Sequence, residues 1–134
     1  MPKRGIKDVT IGDTFSAAEE VDQYRTIYYA GASGDFNPIH IDPEFGKAVG
    51  LGGVILHGLC TFGFMTKTVT DWTGDPGSLK RIKCRFAMPV HLGDTITTEA
   101  SVVTVEKNRA IIDLKVANQD GAEVLLMASA EVEL

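Results

Sequence analysis

The stretch Leu56-His57-Gly58-Leu59-Cys60-Thr61-Phe62-Gly63-Phe64-Met65-Thr66-Lys67-Thr68-Val69 is apolar around most of its circumference. A helix of that character is stable only when other structure wraps it, so the sequence predicts a central, enclosed helix here. The chain that follows supplies the wrapping. After the turn-rich Asp71-Trp72-Thr73-Gly74-Asp75-Pro76-Gly77 the periodicity drops to two. Ile82, Cys84 and Phe86 alternate with Arg81, Lys83 and Arg85; Ile96, Thr98, Ala100 and Val102 alternate with Thr97, Glu99 and Ser101; Ile112, Leu114 and Val116 alternate with Asp113 and Lys115. Each run predicts a strand with one buried face. Glu106-Lys107-Asn108 and Gln119-Asp120-Gly121 are hairpin-type turns, the second leading into a last strand over residues 123–132. One buried helix and a one-sided antiparallel meander predict an α+β fold, a curved sheet curled round the helix.

Upstream, Ser16-Ala17-Ala18-Glu19 has the form of a capping box and predicts a helix start. Val21, Tyr24, Ile27 and Tyr28 then recur at helical spacing, and Gly31 offers a left-handed stop just before Ser33-Gly34-Asp35. Asp42-Pro43 reads as an N-cap with proline at the first helical position, opening a short connector helix that Gly50 or Gly52 ends.

At 134 residues, one domain spanning 1–134 is expected, with a core large enough to need no disulfide or metal staple. Apolar residues make up 44% and charged residues 23%, which disfavours disorder. Thirteen basic against eighteen acidic side chains leave a net charge of −5, so a protein devoted to nucleic-acid phosphates is not expected. Cys60 and Cys84 form no C-x-x-C pair, and no apolar run approaches the length of a membrane span or a signal peptide. The expectation is a cytoplasmic protein away from the membrane. Gly31-Ala32-Ser33-Gly34-Asp35 lacks the last glycine of a hydrolase elbow, Gly50-Leu51-Gly52-Gly53 lacks that of a dinucleotide loop, and His40, His57 and His91 lack zinc-site spacing. Neither a metal nor a cofactor is expected.

Two segments carry chemistry. Ser33-Gly34-Asp35-Phe36-Asn37-Pro38-Ile39-His40 holds a carboxylate and an imidazole five residues apart, a pair able to hold one water and move its protons near neutral pH. The same residues also fit a loop cap at Asp35 and a structural hydrogen bond at His40, the reading that composition alone favours. In Leu56-His57-Gly58-Leu59, the start of the buried helix offers unpaired N–H groups, and glycine at 58 lets a substrate carbonyl approach them. Gly58 and Gly63 equally fit close packing of helix on sheet.

Tyr29-Ala30-Gly31-Ala32-Ser33-Gly34-Asp35-Phe36-Asn37-Pro38-Ile39-His40-Ile41-Asp42, then Gly53-Val54-Ile55-Leu56-His57-Gly58, resembles the MaoC-like (R)-specific enoyl-CoA hydratase family. Arg85-Phe86-Ala87-Met88-Pro89-Val90-His91-Leu92-Gly93-Asp94-Thr95-Ile96 resembles the family's strand and turn after the central helix. The resemblance implies the hotdog fold and reversible hydration of trans-2-enoyl thioesters of coenzyme A or acyl carrier protein to (R)-3-hydroxyacyl thioesters. It implies Asp35 and His40 as the water-holding catalytic pair, Asn37 as an ordering residue and the Gly58 N–H as oxyanion donor. It also implies a homodimer or higher oligomer, with a sister subunit as a further possibility. A non-catalytic partner subunit and a thioesterase on the same fold are the alternatives, and loss of Asp35 or His40 would have marked the first. One position departs from the family: Gly46, six residues after His40, where Ala or Ser is usual, which bears on packing of the short helix. Finally, Lys80-Arg81-Ile82-Lys83-Cys84-Arg85 concentrates four basic residues in six positions. On a strand, Arg81, Lys83 and Arg85 share one face at about 6.6 Å spacing, fit either for the phosphates of a thioester carrier or for plain solvation.

Overall fold

The computed structural model describes residues 2–134. Its elements are β1 (Thr14–Glu20), α1 (Arg25–Ser33), α2 (Pro43–Ala48), α3 (Gly58–Thr73), β2 (Leu79–Phe86), β3 (Thr95–Glu106), β4 (Arg109–Ala117) and β5 (Glu123–Glu133), with single 3-10 turns at Ile6–Asp8, Pro38–His40 and Pro76–Ser78. All neighbouring strands are antiparallel, in the order β1-β3-β4-β5-β2.

The enclosed helix is present and longer than expected. It begins at Gly58 and runs through Asp71, Trp72 and Thr73 until Gly74, at φ 72°, closes it in the left-handed region. Cys60, Thr61, Phe64, Met65, Thr68 and Val69 bury its inner face against Ile96, Val102, Ile112, Val116 and Val124 of the sheet. The buried positions of β3 and β4 are the alternating ones read from sequence. This is the hotdog arrangement, a curved sheet around one helix.

Three expectations need correction. Ser16, Ala17, Ala18 and Glu19 open no helix: they lie in β1, whose seven residues pair with β3 from Thr14↔Ser101 to Glu20↔Thr95. Phe15 anchors that strand by stacking on Trp72 at 4.3 Å. Tertiary pairing thus overrides a local cap signal, and α1 starts nine residues later, at Arg25, where the Asp22 carboxylate accepts from the Tyr24 N–H at 2.8 Å. Second, α1 runs through Gly31 to Ser33 and stops at Gly34 (φ 79°), burying Thr26 and Ala30 while Tyr24, Ile27 and Tyr28 stay exposed. Third, Phe86 does not face the core but is 57% exposed at the end of β2.

The short helix forms as read, with Asp42 accepting from the Glu44 and Phe45 N–H groups and Gly50 following at φ 86°. Gly46 explains its own departure from the family pattern. It is buried against Gly53, and an added Cβ would overlap the Gly53 carbonyl oxygen and lie 2.5 Å from its carbon. Gly46→Ala is therefore expected to lower stability by about 1–3 kcal/mol, the range for overpacking, seen as a lower urea midpoint. Gly31→Ala, in an exposed helix with nothing within 4 Å of the new Cβ, is expected to gain about 0.5–1 kcal/mol. Equal midpoints for Gly46→Ala and the parent would contradict this packing.

Candidate functional site

The loop after α1 is built by side chains that fold back on it. Ser33 Oγ donates to the Tyr29 carbonyl at 2.7 Å and accepts from the Asp35 N–H at 3.1 Å. Asp35 Oδ1 accepts from the Asn37 N–H at 3.2 Å, and Asn37 Oδ1 caps the next turn by accepting from the Ile39 N–H at 3.2 Å. The Asn37 side chain thus holds the turn that leads to His40. With Oδ1 engaged, Asp35 Oδ2 faces His40 Nε2 at 3.7 Å. That is too long for a direct hydrogen bond, yet both atoms can reach one oxygen lying beside them.

Two imidazoles fix the loop to the start of α3. His40 Nδ1 lies 2.8 Å from the Ile55 carbonyl oxygen and His57 Nε2 lies 3.0 Å from that of Asp35. A carbonyl only accepts, so those nitrogens carry the protons, leaving Nε2 of His40 and Nδ1 of His57 as lone-pair acceptors. The rings stack at 3.8 Å, 20° from parallel, and Tyr29 packs against His57 at 4.6 Å. Burial and the neighbouring Cys60 and Asp35 raise the Tyr29 hydroxyl above its ordinary pKa, so it remains protonated in the neutral range.

Asp35, His40 and His57 bring donor atoms within 4.8 Å of one another. Lone pairs of stacked rings lie in nearly parallel planes, however, so the two imidazoles cannot converge on one ion as a metal site requires. His91, the third histidine, bonds through Nε2 to the Leu51 carbonyl at 2.8 Å and holds the loop ahead of α3.

Beside the pair opens a mostly apolar cleft of about 410 Å³, lined among others by His40, Leu56, Gly58, Thr61, Phe86 and Val90. Gly58 is the first residue of α3, where the backbone N–H has no partner within the helix. A Cβ there would stand 3.0 Å from the Phe86 ring, so glycine keeps the mouth open. Of the residues named from sequence, His40 and Gly58 share the cleft, Asp35 faces His40, and Asn37 lies in the loop that carries both. The Asp35 side chain is 53% exposed and that of His40 only 9%, which gives the pair one wet side and one dry side.

Arg81, Lys83 and Arg85 are exposed on β2 and form no ion pair among the described residues. They are not in the cleft: Phe86 turns toward Gly58, whereas Arg81 and Lys83 border a shallow depression with Ser129 and Glu131. The strand that carries them, β2, is at one edge of the sheet. Burial raises the thiols of Cys60 and Cys84, so neither is a ready nucleophile. Sequence reasoning missed two buried polar side chains of the site, His57 and Thr61. A histidine immediately before Gly58 was the one visible signal for the first.

No helix is long and apolar enough to cross a membrane among the described residues. The chain is 40% identical over 111 residues to probable enoyl-CoA hydratase 2 of Dictyostelium discoideum, which covers 81% of this chain and 37% of that protein. It is 43% identical over 90 residues to the peroxisomal enoyl-CoA hydratase 2 of Arabidopsis thaliana, covering 66% of this chain and 28% of that one. The chain thus spans little more than a third of these curated relatives at most. The structure of R-hydratase PhaJ1 from Pseudomonas aeruginosa superposes with a TM-score of 0.88 at 25% identity, covering 96% of this chain and 84% of that one. The family model described as MaoC like domain matches residues 7–123, and with fold and loop in agreement this chain belongs to the MaoC-like domain family.

Proposed function

We propose that this chain catalyses the reversible hydration of trans-2-enoyl thioesters to (R)-3-hydroxyacyl thioesters. The observation that carries the reading is the 3.7 Å approach of Asp35 Oδ2 to His40 Nε2, two acceptor atoms side by side at an apolar cleft that the start of α3 also lines. The names of the similar hydratases support the same chemistry.

A water donating one hydrogen to each acceptor turns a lone pair toward C3 of an enoyl chain in the cleft. As the C3–O bond forms, one proton passes to the pair and the C2–C3 π electrons move toward the thioester, leaving an enolate oxygen. The Gly58 N–H, aided by the dipole of α3, faces that charge. The proton held by the pair then goes to C2, which restores the enzyme and adds water overall. The reverse sequence is dehydration, and metabolite concentrations set the direction.

Carriers of such chains, coenzyme A and acyl carrier protein, both bear phosphate, and the stripe Arg81, Lys83 and Arg85 is our candidate for it. We also infer a homodimer or higher assembly. Support comes from the exposed Phe36 beside Asp35, Leu59 beside Gly58, and Phe86 and Met88 on the cleft, and from the uncovered sheet edges β1 and β2. A fully active monomer in sedimentation at assay concentration contradicts that inference.

Loss of enoyl absorbance on incubation with crotonyl-CoA and longer enoyl-CoAs tests the activity, and release of free thiol from saturated acyl-CoA would point to a thioesterase instead. Asp35→Asn and His40→Ala are each expected to lower turnover at least about a hundredfold with folding retained. The double variant should lose far less than the product of the two, because both act on one water. Near-parental turnover in either single variant contradicts the assignment. Replacing Arg81, Lys83 and Arg85 together by Gln is expected to raise KM for enoyl-CoA at low salt and leave the phosphate-free N-acetylcysteamine thioester nearly unchanged. Equal effects on both substrates, or none, return the stripe to a solvated surface.

A further inference from the structure

Helix α3 carries five threonines, and four bond back to their own helix. Thr66 Oγ1 donates to the Phe62 carbonyl and Thr68 Oγ1 to that of Phe64, both at 2.9 Å, Thr70 to Lys67 at 3.4 Å and Thr73 to Thr70 at 3.1 Å. Thr61 alone has no partner for its hydroxyl, although it is 1% exposed. The carbonyl it would use, four residues back at His57, already accepts from the N–H groups of Cys60 at 3.0 Å and Thr61 at 3.3 Å. An unpaired buried hydroxyl destabilises the folded chain, which makes it informative when it lines a cavity.

Thr61 lines the cleft together with His40 and Gly58. Three residues after Gly58, it shares that residue's helix face, and helical side chains lean toward the N-terminus, the end of α3 at which the Gly58 N–H lies. The polar groups available to a ligand are then few. His40 Nε2 is an acceptor, whereas the Gly58 N–H and the Thr61 hydroxyl are donors. An unsubstituted enoyl thioester presents one strong acceptor, its carbonyl oxygen. We propose that the Thr61 hydroxyl is a second donor to that oxygen beside the Gly58 N–H, an inference that rests on the enoyl-thioester reading above. Both donors come from the first turn of α3. Their bonds strengthen as the oxygen gains enolate charge, so the contribution falls on turnover more than on binding.

Thr61→Val keeps the shape and removes the hydroxyl; Thr61→Ser keeps the hydroxyl. With crotonyl-CoA, Thr61→Val is expected to lower kcat about tenfold to a hundredfold with KM little changed, and Thr61→Ser to retain most of the activity. The Tm of Thr61→Val should equal or exceed that of the parent, since no protein hydrogen bond is lost. Parental kcat in Thr61→Val overturns the proposal, as does a loss of kcat with a lowered Tm that Thr61→Ser does not rescue. Either result in an active parent leaves the hydratase reading standing, whereas a parent inactive on every enoyl-CoA takes both down.

Discussion

Two imidazole-to-carbonyl hydrogen bonds hold this site together, His40 Nδ1 to Ile55 and His57 Nε2 to Asp35. They tie the loop after α1 to the start of α3 and, because a carbonyl accepts only, they also choose the tautomer of each ring. The choice matters for chemistry: it leaves His40 Nε2 as a lone-pair acceptor directed at the Asp35 carboxylate. Stacking of the rings at 3.8 Å makes the arrangement one unit, so displacement of either ring disturbs both the approach of Asp35 to His40 and the start of α3.

That unit depends on the fold for its stage. The curled sheet encloses α3 on its apolar face, leaving the first turn of the helix as the part open to a ligand. The loop ahead of α3 is pinned by the Leu56 N–H to the Val90 carbonyl at 2.7 Å and by His91 to Leu51 at 2.8 Å. The close contact of Gly46 with Gly53 sets how near α2 comes to the same loop. Core packing therefore reaches His40 and Gly58 through a short chain of backbone contacts.

Much of this was legible in the sequence. An apolar circumference from Leu56 to Val69 and the period-two runs after Leu79 specify a wrapped helix and a one-sided sheet, because each pattern fits one environment. Ser16–Glu19 misled because a capping box is a local signal, whereas the β3 residues that pair with it lie far along the chain, as Ser16↔Glu99 does. Phe86 misled because strand alternation cannot tell a core face from the mouth of a cleft. Within the site, Asp35 and His40 left a structural and a catalytic reading open, and the geometry accommodates both on different atoms. Oδ1 of Asp35 and Nδ1 of His40 build the loop, while Oδ2 and Nε2 face each other. His57 and Thr61 carry no spacing signal; their meaning comes from a ring-on-ring contact and an unmade hydrogen bond, which exist only in three dimensions.

Backbone carbonyls preset the tautomer of both histidines. NMR of the imidazole nitrogens in isotope-labelled protein at neutral pH reads this directly. In its neutral form, His40 is expected to carry its proton at Nδ1 with Nε2 bare, and His57 at Nε2 with Nδ1 bare. The opposite tautomer at His40, which would place a proton rather than a lone pair toward Asp35, would contradict it.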